Sequence, residues 1–106
     1  RTHAMAVSLQ VIYPVSDGST FDFDYYLSTH FDLVGEHMGP HIAATTVTRG
    51  VAGGPDAPPG YHAIATIAFA DQAALDAAMK ASGPVMADVP NFTNVNPDVL
   101  IGEVVS

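Results

Sequence analysis

In a chain of 106 residues, eleven acids against three bases give a formal net charge of -8, and no cluster of Lys or Arg exists to neutralise phosphates. That excludes nucleic acid and anionic membrane surfaces as partners. The sequence has no cysteine, which removes disulfides, thiolate ligands and Cys nucleophiles, and no apolar run approaches the roughly 20 residues that span a bilayer.

The chain therefore reads as a single cytoplasmic domain. Its leading RTHA precedes Met5, which reads as an initiator, so residues 1–4 are set aside as a cloning remnant and 5–106 are taken as the domain. From Ala6 to Tyr13, alternation at Val7, Leu9, Val11 and Tyr13 predicts a strand, ended by Pro14 and the Asp17-Gly18 turn. A helix follows, with Asp22 as N-cap; it is expected to run to Met38, where Gly39 in a left-handed conformation and Pro40 stop it. His41 to Val51, rich in β-branched residues, predicts a second strand, and Gly53 to Gly60 a stiff turn. Tyr61 to Phe69 is the third strand. Asp71 caps a short helix to Ala81, a helical turn at Val85 to Asp88 interrupts the next connection, and Asp98 to Val105 is the closing strand.

This order, βαββαβ, specifies an α+β, ferredoxin-like fold: an antiparallel four-stranded sheet with helices on one face. The strands carry apolar residues on both faces, Val7, Leu9 and Val11 alongside Ile12, and Ile67 and Phe69 alongside Ile64. Hydrophobic residues make up 48% of the chain. Both features predict a second cover, supplied by a homodimer that pairs sheet to sheet into a dimeric α+β barrel.

On the first helix, Phe23, Leu27, Phe31, Val34 and Met38 share the stripe expected to face the sheet, while Asp24, Ser28, Asp32 and Gly35 face water. Tyr26, His30, Leu33 and His37 form a second stripe along its border. There FDFDYYLSTHFDLV, Phe21 to Val34, resembles the signature helix of the EthD family, and ADVPNFTNVNPDVLIGEVV, Ala87 to Val105, is similar to that family's closing segment. The resemblance spans Met5 to Ser106. It departs at Asp32, where family members often carry Pro. It implies the dimeric α+β barrel, and it implies kinship with lactone isomerases and with polyketide-type cyclases and dehydratases.

His30 is the first catalytic candidate, because an imidazole can take and return a proton at a carbon acidified by a neighbouring carbonyl. Tyr26, one turn earlier, is expected to orient it or to donate to a developing enolate oxygen. His62 on the third strand approaches the same cleft if its face looks toward the helices, and His37 stands at the rim. Phe31, Leu33, Phe92 and Ile67 are the expected apolar walls.

No metal is expected: His30 and His37 stand two turns apart, about 10 Å along the axis, too far to share one ion. No Gly-rich phosphate loop is present, so no flavin, nicotinamide or nucleotide cofactor is expected. The expected function is a cofactor-free isomerase, cyclase or dehydratase acting on a small apolar carbonyl, lactone or polyketide-like compound. The alternative is a non-catalytic small-molecule-binding accessory protein of a degradation or oxygenase pathway. Weaker still are cofactor-independent oxygenation and haem binding. Asp88, Asn91, Phe92, Thr93 and Asn94 read first as loop architecture, with Phe92 a plug or cleft wall.

Overall fold

The computed structural model describes residues 6–105, so the reading of residues 1–4 lies outside the described residues. Four strands, β1 (Val7–Pro14), β2 (Ala44–Arg49), β3 (Tyr61–Phe69) and β4 (Asp98–Glu103), form one antiparallel sheet in the order β2-β3-β1-β4. Central β1 pairs with both β3 and β4, which sets Leu9 opposite Ile67 on one side and Ile101 on the other. This is the ferredoxin-like arrangement that the element order implies.

The first helix, α1 (residues 23–37), is continuous but built in three pieces: an α-turn Phe23–Tyr25, a π-turn Tyr26–His30 and an α-segment Phe31–His37. Asp22 caps it, its Oδ1 accepting from the Tyr25 amide at 3.1 Å. Asp71 caps α2 (Gln72–Lys80) in the same way, accepting from the Ala74 amide at 2.9 Å. Each such cap contributes about 1 kcal/mol to its helix. A one-turn helix, α3 (Gly83–Ala87), and a 3-10 turn, Val89–Asn91, lead toward β4.

Two expectations from the sequence are corrected by the fold. Gly39 has no positive φ; the chain tightens at Met38 and continues as a 3-10 turn, Gly39–His41, so His41 precedes β2 rather than opening it. Leu27, expected against the sheet, is 56% exposed, while Tyr26 and His30, expected at the border, are buried at 1% and 4%. The π-turn explains the exchange: one extra residue in a turn rotates the residues before it by about 100° relative to those after it. Within that wide turn the Ser28 hydroxyl donates to the Asp24 carbonyl at 2.6 Å, giving a helix carbonyl a side-chain partner.

The helices cover one sheet face only. Val7, Leu9, Ile67 and Phe69 pack there against Val34, Met38, Leu75, Ala78 and Val85. A second, aromatic cluster joins Tyr13, Tyr26, Ala63, Val89 and Phe92. The opposite face, carrying Ile12, Ile64 and Leu100 among threonines, is left bare, and Leu100 is 56% exposed. No helix among the described residues is long and apolar enough to cross a membrane.

The closing segment is stitched to the loop before α1. Thr93 Oγ1 donates to the Thr20 carbonyl at 2.6 Å, Asn94 Oδ1 accepts from the Thr20 amide at 2.9 Å, and Asn94 Nδ2 donates to the Gly18 carbonyl at 2.9 Å. Gly18, at φ 75, makes the turn that presents that carbonyl. These bonds fix the segment that carries Asp88 across from the π-turn.

Candidate active site

His30 leaves the π-turn pointing inward, where its Nδ1 lies 3.0 Å from Oδ2 of Asp88 at the end of α3. The other carboxylate oxygen, Oδ1, accepts from the Tyr25 hydroxyl at 2.7 Å and from Asn91 Nδ2 at 2.9 Å. Burial raises the Asp88 pKa, but the hydrogen bonds from Tyr25, Asn91 and His30 outweigh it and hold the carboxyl below its ordinary range. Bonding to the Asp88 carboxylate raises the Tyr25 phenol.

An ionised carboxylate only accepts, so Nδ1 carries the imidazole proton and Nε2 presents a lone pair. Burial lowers the His30 pKa, and the attraction of Asp88 offsets this only in part. At neutral pH the ring is uncharged and basic at Nε2, the state a general base requires. Its plane is fixed from both sides: Tyr26 stacks on it at 5.3 Å and 14°, and Phe92 lies 4.6 Å away.

His30 lines a cavity of about 100 Å³ between sheet and helices. Its floor is Leu9, Val11, Tyr13, Ala65 and Ile67, and its roof is Tyr26, Phe31, Val34, Met38 and Val85. The mouth is formed by Met79, Met86 and Val99, which are 38%, 46% and 52% exposed. The lining is almost wholly apolar, and the Ser82 hydroxyl beside it is turned to the Met79 carbonyl at 2.7 Å.

Of the residues singled out in the sequence, the structure thus brings His30, Tyr26, Phe31 and Ile67 to one cavity. Phe92 supports His30 and Tyr26 from behind, at 4.6 and 4.9 Å. Leu33 packs at the edge of the larger core cluster, outside the lining. His37 sits at the surface 4.0 Å from Glu36, and it too is outside.

His62 lies where β3 carries one residue more than β1, since Tyr13 pairs with Ala63 and Pro14 with Tyr61. Its ring stacks on Phe21 at 5.8 Å and meets the Ser19 hydroxyl at 2.9 Å. Phe21, itself 5.0 Å from Tyr26, stands between it and the aromatic cluster, and His62 does not line the cavity. Arg49 covers the Phe23 ring at 4.6 Å, also outside.

Two residues escape a reading of the sequence. Asp88 stands far along the chain from His30, and only its place between α3 and a 3-10 turn marks it. Tyr13 reads as one more apolar strand position; its phenol is the signal, because a buried hydroxyl calls for a partner.

A four-stranded ferredoxin-like sheet, helices on one face and a His–Asp pair set into an apolar cavity between the layers place this chain among small α+β domains. Residues 18–96 match the EthD domain, and the chain belongs to the EthD family. An EthD-like protein from Ralstonia eutropha JMP134 shares 31% identity and superposes with a TM-score of 0.87, over 97% of this chain and 95% of that one. An EthD family protein from Bacillus halodurans C-125 shares 26% identity at a TM-score of 0.68, over 94% and 99%. SnoaB from Streptomyces nogalater, a cofactor-independent oxygenase, shares the fold at 13% identity and a TM-score of 0.54, over 92% of each chain. No curated protein matches.

Proposed function

We propose that this EthD protein is a cofactor-free enzyme that moves a proton on a small, largely apolar carbonyl compound, a lactone or polyketide-like ketone, and so isomerises, cyclises or dehydrates it. The observation that carries the reading is the buried His30–Asp88 pair, 3.0 Å apart, at the wall of an apolar cavity. His30 Nε2 takes a proton from the carbon beside the carbonyl; the C–H electron pair becomes the enolate double bond, and the carbonyl π pair moves to oxygen. The imidazolium, stabilised by Asp88, then gives the proton up again. In an isomerisation it goes to another carbon of a conjugated enolate; in a dehydration, to a β-hydroxyl that leaves as water while the enolate collapses to the enone; in a cyclisation, to the alkoxide formed when the enolate carbon adds to a second carbonyl. The surrounding apolar walls exclude water and strengthen each of these contacts.

The cavity limits the substrate. An apolar cavity of about 150 Å³ accepts benzene, so about 100 Å³ suits a single ring or a short chain, with the remainder passing between Met79 and Met86. Methionine side chains adapt readily, which lets the mouth admit differently shaped substituents. A second copy pairing on the bare sheet face completes the proposed assembly as a homodimer.

The test is solvent-deuterium incorporation at the α-carbons of cyclohexanone and of small lactones, followed by NMR. The protein is expected to accelerate exchange, and His30→Ala to reduce the rate by about 100-fold or more. Exchange unchanged in His30→Ala overturns the enzyme reading and leaves a non-catalytic ligand carrier.

A further inference from the structure

Beyond His30 and Ser82, whose hydroxyl is taken up by the Met79 carbonyl, the polar groups of the cavity are a pair of phenols. Tyr13 rises from β1 and Tyr26 descends from the π-turn; they are 2% and 1% exposed, both line the cavity, and their rings meet edge to face at 5.9 Å. Neither hydroxyl has a hydrogen-bond partner among the described residues, and no side-chain N or O there is both sealed from solvent and unpartnered. Both hydroxyls therefore open onto the cavity, beside the imidazole that Tyr26 stacks on.

We infer that Tyr13 and Tyr26 form a two-phenol seat for the carbonyl oxygen of the ligand, which selects neutral carbonyl compounds over hydrocarbons and over carboxylates. The seat deepens the proton-transfer reading and rests on it: it names where the oxygen lies when His30 works on the adjacent carbon. Buried phenols stay protonated, Tyr13 being pushed up to about 12 and Tyr26 higher still by burial, so both remain donors across the physiological range. Donors fixed in an apolar site stabilise an oxygen most when it gains negative charge, as in an enolate. Carboxylates are rejected because no Lys or Arg lines the cavity and the Asp88 carboxylate stands behind His30.

The experiment uses cyclohexanone labelled with 13C at the carbonyl, with methylcyclohexane and cyclohexanecarboxylate as comparators. The infrared C=O stretch of the bound ketone is expected below its value in hexane, and to move back toward that value in Tyr13→Phe and again in Tyr26→Phe. Affinity for the ketone is expected to fall about five- to tenfold per hydroxyl removed, while the near-UV circular dichroism stays that of a folded core. Methylcyclohexane, which cannot use the seat, is expected to bind both variants as it binds the wild type. A bound C=O stretch that neither substitution moves overturns the seat, as does the absence of saturable ketone binding. Because the stretch is read without turnover, a shifted stretch with no α-exchange retires the enzyme reading and keeps the seat. Exchange with an unmoved stretch does the reverse.

Discussion

Across 58 residues of chain, His30 Nδ1 and Asp88 Oδ2 come to 3.0 Å, and both side chains are buried. The geometry fixes the effect of an amide in place of the carboxylate. Oδ1 of Asp88 already accepts from Tyr25 and Asn91, so in Asp88→Asn the single remaining oxygen stays with those two donors. The new NH2 then faces Nδ1. His30 is forced to accept at Nδ1 and carry its proton on Nε2, which blocks the base.

Expected in Asp88→Asn are a fall in α-exchange of about 100-fold or more, cyclohexanone affinity close to wild type, and 15N shifts of the Nε2–H tautomer. A wild-type tautomer with a wild-type rate would remove Asp88 from the mechanism. Asp88 is a positioning residue, and the tautomer is the readout a merely structural role would leave unmoved.

Acid should loosen the fold in two stages. His30 is held below its ordinary 6.5 by burial, so under that pH the unfolded chain binds a proton that the native chain resists, and stability falls as pH falls. Asp88 is held below its ordinary 3.8, where the same sign applies: its contribution is complete above that pH and lost as pH drops through the lower native value. Thermal unfolding from pH 7 to 5 is expected to show a declining Tm in the wild type. His30→Gln should be nearly flat over that span and share only the second decline below pH 4. Parallel curves from pH 7 to 5 would mean that His30 titrates normally in the fold.

The elements were legible because their signals are local. Asp22 and Asp71 announce helix starts, Asp17-Gly18 a turn, and alternation from Val7 to Tyr13 a strand. Which helix face turns inward was not. A 3.6-residue period places Leu27 at the core, and the π-turn hands that place to Tyr26 and His30. The same limit hid the direction of His62, which depends on an extra residue in β3 opposite Tyr13 and Pro14. His30 is singled out by its chemistry and its motif, and the structure places it in the cavity wall. Its partner is not singled out, since no periodicity links a helix to a loop 58 positions away.

Phe92 joins the architecture to the site. Its ring packs within 6.4 Å of Tyr13, Phe21, Tyr25, Tyr26 and His30, and its carbonyl accepts from the Asp22 amide at 2.8 Å. Truncation leaves a void among rings that cannot all close on it. Phe92→Ala is expected to cost about 3–5 kcal/mol in urea unfolding, and Phe92→Leu about half as much. At a temperature where the leucine variant remains folded, its α-exchange should also fall, because one wall holding the imidazole is gone. Full activity in Phe92→Leu would show that Asp88 and Tyr26 suffice to hold the ring.

The bare sheet face makes the proposed dimer testable in one substitution. Leu100 lies beside Gln10 and is 56% exposed, and half-buried Ile12 and Ile64 lie on the same side of the neighbouring strands. A charge placed there costs little in a monomer, since the position already meets water, but in a sheet-to-sheet pair it would be desolvated without a counter-ion. Light scattering at micromolar concentration is expected to give a dimer for the wild type and a monomer for Leu100→Glu, with circular dichroism unchanged. Glu103→Gln, opposite Val7 on the other face, is the control and should stay dimeric. A wild-type monomer would overturn the proposed dimer, and a Leu100→Glu dimer would place the second copy on some other surface.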